Sequence, residues 1–160
     1  MTVVPEFTGP WVTTAVFCEK VIEDKEGVLT LVRVIDRLII SASGVETLVP
    51  EKLPPAQVQI IFVITIKAGT AKGRSEVVTE IEGPDGINRA ISSQSVNFPA
   101  PNYGQNLVNN IALGVQHEGV YWFTVKADGR VLTRSPLEIL YARSATSMPS
   151  PAGFSPPGAL

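Results

Sequence analysis

The chain has 160 residues, which suits one domain with tails better than two domains joined by a linker. Hydrophobic residues make up 44% and charged residues 18%, so the composition excludes a chain that is disordered throughout. Thirteen basic residues against fifteen acidic ones give a formal net charge of −2, which argues against nucleic acid or an anionic membrane surface as a partner.

Short runs rich in Val, Ile and Thr, separated by Gly, Pro, Asp and Asn, predict an all-β fold. In chain order the predicted strands cover residues 12–23, 28–41, 57–67, 73–82, 87–97, 106–115, 119–127 and 130–141. Strict alternation places Asp36 on an apolar face of the long second strand, where an unpaired carboxylate is costly. We therefore expect either a kink that turns Asp36 outward or an ion pair with Arg37 or Arg134.

Several connections have the composition of tight turns. Asp128-Gly129 is the strongest signal, because both residues tolerate the positive φ angles of a two-residue hairpin. Hairpins are also predicted at 24–27, 69–73, 84–86 and 117–119, and the longer passages 42–56 and 98–105 are where the chain could change sheets. The pattern predicts a two-sheet antiparallel β-sandwich of about eight strands, immunoglobulin-like or related.

The predicted domain organisation is an N-terminal arm over 1–11, the β-sandwich over 12–142 and a flexible Pro/Ser/Gly-rich tail over 143–160. The N-terminal residues lack the pattern of a secretory signal, and a single cysteine makes no internal disulfide, so the predicted location is cytoplasmic. The most apolar window, 58–66, is too short to span a bilayer as a helix.

Alternation of side chains assigns faces to some strands and not to others. Every second residue from Leu107 to Val115 and from Tyr121 to Val125 is expected to face the core. The strands over 12–23, 28–41 and 57–67 are apolar on both sides. Bulges, cover by the 42–56 loop or cover by another subunit would each explain this. Trp122 lies at an outward position and is the best candidate for an interaction surface, with Trp11 and Tyr103 as further candidates.

Sequence motifs typical of catalytic, nucleotide-binding or metal-binding sites are weak or absent. Cys18 and His117 are the only Cys/His combination, and Cys18 lies in a strand pattern, as a buried small residue does. No Gly-x-Ser-x-Gly or Walker spacing occurs, and Asp24, Asp85 and Asp128 are isolated turn residues rather than a calcium loop. We predict no catalytic residue, no cofactor and no metal site.

The order and spacing of several stretches carry a family resemblance. They are Phe17-Cys18-Glu19-Lys20, residues 27–37, residues 119–123, Asp128-Gly129 and Ser135-Pro136-Leu137. Together they resemble a bacterial family of small β-sandwich proteins catalogued only as a domain of unknown function. The resemblance covers residues 12–141 and implies a β-sandwich in a bacterial cytoplasm. It implies no activity, ligand or catalytic residue.

The predicted function is that of a non-enzymatic protein-interaction or assembly module, whose partner is another protein or a second copy in a homo-oligomer. The alternative is a ligand-binding module, for example for carbohydrate, which requires a concave pocket lined by aromatic residues. A third reading is an enzyme that uses His117 within a polar cluster in a cleft. No nucleic acid or membrane partner is expected.

Overall fold

The computed structural model describes residues 8–41 and 55–142, which contain nine β-strands and no helix, so none of these segments could cross a membrane as a helix. The strands are β1 (Trp11–Glu23), β2 (Leu29–Ile35), β3 (Arg37–Ser41), β4 (Ala56–Lys67), β5 (Gly73–Glu82), β6 (Asn88–Phe98), β7 (Gly104–Val115), β8 (Gly119–Ala127) and β9 (Arg130–Ala142). Sheet A has the order β2-β1-β4-β7, and sheet B has the order β3-β9-β8-β5-β6. The all-β prediction is confirmed. The predicted tail over 143–160, the arm as far as residue 7 and most of the 42–56 passage lie outside the described residues.

The strand predicted over 28–41 is interrupted at Asp36. β2 ends in sheet A at Ile35 and β3 begins in sheet B at Arg37, so the chain changes sheets at Asp36 and the described strands number nine rather than eight. Asp36 is exposed, and its carbonyl accepts a hydrogen bond from the Glu138 N–H at 3.1 Å. The predicted kink is confirmed, because the break places the carboxylate in water.

Neighbouring strands are antiparallel with one exception, the parallel pair β3 and β9. The prediction of a wholly antiparallel arrangement is wrong for this pair. β3 reaches sheet B directly from sheet A at Asp36, so no hairpin sets its direction.

Hairpins join β1 to β2, β5 to β6 and β8 to β9, as predicted. At the last of these, Asp128 and Gly129 have φ angles of 48° and 80°, as a two-residue turn with positive φ at both positions requires. The hairpins predicted at 69–73 and 117–119 are wrong, because β4 and β7 belong to sheet A whereas β5 and β8 belong to sheet B. Turn composition indicates a reversal of direction but not which sheet receives the next strand.

The core lies between the inner faces of the two sheets. Phe17 and Phe62 of sheet A stack with ring centroids 4.6 Å apart, and Phe123 of sheet B meets Phe17 edge-on at 4.7 Å. The predicted inward faces of β7 and β8 are buried, including the polar Asn109 at 6% exposure. One continuous apolar cluster therefore holds the two sheets together.

Two residues on the outer face of sheet A are also buried, Cys18 at 0% and Val63 at 1% exposure. A bulge between Val12 and Thr14 shifts the register of β1, so that Val12 packs against the core while Cys18 faces outward. This bulge is one reason that both faces of the β1 sequence are apolar.

The distal part of the β1–β2 hairpin lies over the same outer face. Hairpin and sheet residues line one cleft of about 360 Å³, namely Gly27, Val28, Leu29 and Leu31 with Thr14, Val63, Thr65 and Asn106. Arg33 in β2 has a φ of 52°, which departs from extended backbone where the hairpin leaves the sheet. The chain thus supplies cover for part of sheet A itself, so the burial of Cys18 and Val63 requires no second subunit.

Candidate interaction surface and inter-sheet cleft

An apolar strip lies on the outer face of sheet B. Trp122 and Val120 of β8 are 37% and 39% exposed, and Ile39 of β3 is 66% exposed. Trp122 lies opposite Pro136 in the β8–β9 register, and Ile39 lies opposite Leu140 in the β3–β9 register. Because residues directly opposite one another share a face, these five residues lie on one face of sheet B, and we call them the Trp122 strip.

Charged side chains border the Trp122 strip. The guanidinium carbon of Arg134 lies 4.9 Å from the centroid of the Trp122 ring, and Arg134 Nη2 lies 3.4 Å from Glu82 Oε2. Arg37 Nε lies 2.5 Å from Glu138 Oε2. Because Glu138 lies directly opposite both Val120 and Arg37, this second ion pair crosses the strip, whereas the pair of Arg134 with Glu82 flanks Trp122.

Of the two alternatives predicted for Asp36, the structure shows the outward turn and not the ion pair with Arg37 or Arg134. The two arginines pair with Glu138 and Glu82 instead, and Asp36 forms no ion pair with another residue of 8–41 or 55–142. The reason lies in the register, because Arg37 lies directly opposite Glu138 whereas Asp36 lies outside the strands at the break.

A further ion pair extends the charged border onto β5. Lys126 Nζ lies 2.7 Å from Glu80 Oε1, and Asn88 Nδ2 donates to Glu80 Oε2 at 3.0 Å. The hydrogen bond from Lys126, followed by that from Asn88, lowers the pKa of Glu80 because both stabilise the ionised carboxylate.

The three candidate aromatic residues do not share a surface. Trp11 is half-buried against two glycines, since a Cβ would lie 2.9 Å from its ring at Gly9 and 2.7 Å at Gly69. Tyr103 is 45% exposed in the loop before β7, at the same end of the molecule. Trp122 lies apart from both on sheet B, so these residues form no common aromatic platform.

Cys18 and His117 do not form a nucleophile–base pair. Cys18 is buried in sheet A, and burial raises the pKa of its thiol, with a smaller opposing effect of a backbone hydrogen bond from Lys20. His117 lies in the loop between β7 and β8, where its carbonyl accepts a hydrogen bond from the Tyr121 hydroxyl at 2.9 Å.

The turn aspartates Asp24, Asp85 and Asp128 support local backbone structure. Each accepts hydrogen bonds from backbone N–H groups at 2.8 to 3.1 Å. In the part of the chain that the structure describes, no group of three or more His, Cys, Asp or Glu residues is placed to hold a metal ion.

A cleft opens between the two sheets where the edge strands β6 and β7 face each other. Its volume is about 660 Å³. β6 contributes Arg89, Ile91, Ser92 and Gln94, and β7 contributes the seven consecutive residues 108–114. Since consecutive side chains of a strand alternate between faces, a lining of seven consecutive residues means that the backbone edge of β7 faces this inter-sheet cleft.

Polar side chains link the two edge strands at one end of the inter-sheet cleft. Gln94 Nε2 donates to Asn109 Oδ1, and Asn109 Nδ2 donates to the Phe62 carbonyl at 3.3 Å. These bonds satisfy the buried amide of Asn109 and connect β6, β7 and β4.

Arg89 lies toward the other end of the inter-sheet cleft. It is opposite the buried Ile81 in the β5–β6 register, so its side chain belongs to the inner face of sheet B. Arg89 forms no hydrogen bond or ion pair through its side chain with any residue that the structure describes. The inter-sheet cleft therefore presents an exposed guanidinium that is not paired with any of the described residues.

A smaller cleft of about 270 Å³ continues from Arg89 and Gly114. Asp85, His117 and Tyr121 also line it. Burial raises the pKa of the Tyr121 hydroxyl, and the hydrogen bond to His117 opposes this effect. This end of the molecule thus gathers titratable groups of several kinds beside Arg89.

The sequence contained a signal for the inter-sheet cleft that the prediction did not use. Asn109 was placed on the inward face of β7, but it was not linked to Arg89 or Gln94. Ser92 and Gln94 of the edge strand β6 are likewise half-buried and line the cleft. Polar residues at inward positions of edge strands were the available clue.

The fold and these two surfaces define an all-β protein of two sheets with an exposed tryptophan strip and a polar inter-sheet cleft. The chain belongs to the family of unknown function DUF6941, whose model matches residues 13–140. The predicted resemblance to a family of unknown function is confirmed. A comparison with curated proteins finds no match.

Proposed function

We propose that the protein is a non-enzymatic protein-interaction or assembly module that contacts its partner through the Trp122 strip. The observation that carries this proposal is the exposure of Trp122 beside Arg134, on a face that also carries the exposed Val120 and Ile39 and two ion pairs. Protein interfaces combine an apolar centre with a polar rim, and Trp and Arg are enriched among the residues that dominate binding.

The partner is another protein or a second copy of the chain. Support for self-association comes from β3, which forms one edge of sheet B and carries the exposed Ile39. An edge strand can pair with the same strand of a second copy around a two-fold axis, which would bring two Trp122 strips together.

The proposed architecture is a β-sandwich, immunoglobulin-like or related. It is supported by the two sheets and by the aromatic contact of Phe17 with Phe123 between them. Bacterial origin and a cytoplasmic location stay predictions.

The carbohydrate-binding alternative has less support, because Trp122 lies apart from Trp11 and Tyr103, and Trp11 is half-buried against Gly9 and Gly69. The enzyme alternative has the support of one observation, the presence of His117 with Asp85 and Arg89 in the smaller cleft. An activity screen that compares the purified wild-type protein with His117→Ala distinguishes the two alternatives. An enzyme that uses His117 shows an activity that the variant loses, and an interaction module does not.

The proposal is tested on two variants of the Trp122 strip, Trp122→Ala and Ile39→Glu. Sedimentation velocity detects self-association, and affinity capture from the source cells detects a different partner. The matched controls are Tyr103→Ala, at an aromatic residue 45% exposed, and Val28→Glu, at an aliphatic residue 58% exposed. We expect association to be lost in both strip variants and retained in both controls.

Two results contradict the proposal. One is a protein that stays monomeric at high concentration and captures no partner. The other is an association that Trp122→Ala and Ile39→Glu leave intact.

A further inference from the structure

We propose that the inter-sheet cleft binds the carboxyl-terminal end of an extended peptide, with Arg89 holding the terminal carboxylate and the edge of β7 pairing with the peptide backbone. The inter-sheet cleft is separate from the Trp122 strip, which lies on the outer face of sheet B. The inference therefore does not depend on the proposed function of that strip.

The first argument is the exposed backbone of β7. Among the described residues β7 pairs with β4 on one side only, and residues 108–114 line the inter-sheet cleft. Alternate N–H and C=O groups of an edge strand point away from its neighbour and can bond an added strand. A peptide in extended conformation presents the complementary groups.

The second argument is size. A strand advances about 3.3 Å per residue, so residues 108–114 offer an edge of about 20 Å, enough for a peptide of about four to six residues. The cleft volume of about 660 Å³ falls within the range of ligand-binding clefts.

The third argument is charge. Arg89 is exposed at the mouth of the cleft and has no ion-pair partner among residues 8–41 and 55–142, so its guanidinium is accessible to a ligand. Asp85 lines only the smaller cleft, and its Oδ1 accepts the Ile87 N–H at 3.1 Å. A guanidinium binds a carboxylate through two parallel hydrogen bonds, so Arg89 favours a peptide that ends in a free carboxylate.

The lining between these features also fits a peptide. Ile111 and Leu113 are 8% and 3% exposed and provide an apolar floor for an aliphatic side chain. Gln94 Nε2 donates to Asn109, and Gln94 Oε1 can accept a hydrogen bond from a peptide N–H group. The inter-sheet cleft therefore combines backbone, apolar and anion-binding elements along one line.

The test titrates the isotope-labelled full chain with a library of acetylated tetrapeptides that end in a free carboxylate, and with the same library ending in amides. NMR shifts report which residues respond. We expect shifts in residues 108–114 and about tenfold weaker binding of the amides. Arg89→Gln is expected to weaken binding of the free acids by about tenfold and to leave the amides unchanged.

Lys72→Gln is the matched control, because it removes one exposed positive charge outside the inter-sheet cleft and should not change binding. Trp122→Ala should also leave peptide binding intact, so failure of the proposed function and failure of this inference are distinguishable.

Several results overturn the inference. They are an absence of shifts at peptide concentrations of about 1 mM, equal binding of acids and amides, or shifts confined to the Trp122 strip. Sodium acetate is a separate arm. If acetate alone reproduces the shifts and the affinity, the cleft is a site for small anions and the peptide assignment is wrong.

Discussion

Arg134 connects two features of sheet B, because its guanidinium lies over the Trp122 ring at 4.9 Å while Nη2 lies 3.4 Å from the Glu82 carboxylate. The ion pair with Glu82 therefore positions the arginine, and the arginine contacts the tryptophan ring through a cation–π interaction. Trp122 remains 37% exposed in this position, so the contact with Arg134 restrains the ring and leaves it accessible. An ordered, accessible aromatic ring binds a partner at a low cost in conformational entropy.

Removal of the Arg134 side chain is expected to destabilise the protein by about 0.5–1 kcal/mol, the range of a cation–π contact at an exposed site. Arg37→Ala is the control, because Arg37 pairs with Glu138 and no aromatic contact of Arg37 is observed among the described residues. An exposed ion pair of that kind contributes about 0–0.5 kcal/mol. Urea denaturation measures both values, and an equal or larger loss for Arg37→Ala would show that the aromatic contact adds nothing.

Adjacent residues of β8 should respond very differently to truncation. Phe123 is 0% exposed and packs against Phe17 and Phe62, so Phe123→Ala is expected to cost about 3–5 kcal/mol of unfolding free energy. Trp122→Ala removes an outer-face side chain and should cost about 1 kcal/mol. Chemical denaturation of the two variants checks the assignment of faces, and similar losses would contradict it.

Where polar and apolar side chains alternate clearly, the sequence was sufficient to predict which face of a strand is buried. The faces of β7 and β8 follow from the alternation around Leu107 and Tyr121, and the break at Asp36 follows from the cost of a carboxylate on an apolar face. These predictions rest on local patterns, and they are confirmed.

Sheet membership could not be predicted in the same way. The loop around His117 has turn composition, yet it connects sheet A to sheet B, because pairing partners are set by long-range packing. The cleft around Arg89 was missed for the same reason, since it forms only when the edges of two sheets face each other. The cover of Val63 by the β1–β2 hairpin likewise depends on a bend near Arg33 that side-chain alternation does not reveal.

The bend in β2 gives a third prediction. Arg33 has a φ of 52° and forms an exposed ion pair with Glu19 at 3.0 Å. A β-branched residue is strained at such an angle whereas glycine is not, so Arg33→Val should be less stable than Arg33→Gly by about 1–2 kcal/mol. Both variants lose the ion pair, so the comparison isolates the backbone effect.

The same pair of substitutions at Arg37 serves as the control. Arg37 lies in strand β3 and is not among the residues with positive φ. Valine should therefore be the more stable replacement there, because glycine is unfavourable in a strand. Thermal unfolding that ranks valine above glycine at both positions would contradict the assigned conformation of Arg33.

Burial of Cys18 gives a prediction for pH dependence. Folding raises the pKa of this thiol above its ordinary value of 9.0, so folding favours the neutral form. The corresponding stability is fully present below that value and is lost as the pH rises through the folded pKa. The wild-type protein should therefore lose more stability than Cys18→Ala between about pH 8 and about pH 10.

A thiol reagent provides the second measurement for Cys18. The native protein should react with Ellman's reagent far more slowly than the protein unfolded in urea, because Cys18 is 0% exposed. Equal rates in the two states would show that the outer face of sheet A is open at Cys18.

Hydroxyl-radical footprinting of Trp122 tests the central claim most directly. The labelling of Trp122 is measured in dilute purified protein and in intact source cells, with Tyr103 as the internal reference on a different surface. If the Trp122 strip is an interaction surface, Trp122 is oxidised in the purified protein and protected in cells, while labelling of Tyr103 stays the same. Equal oxidation of Trp122 in both settings would contradict the account.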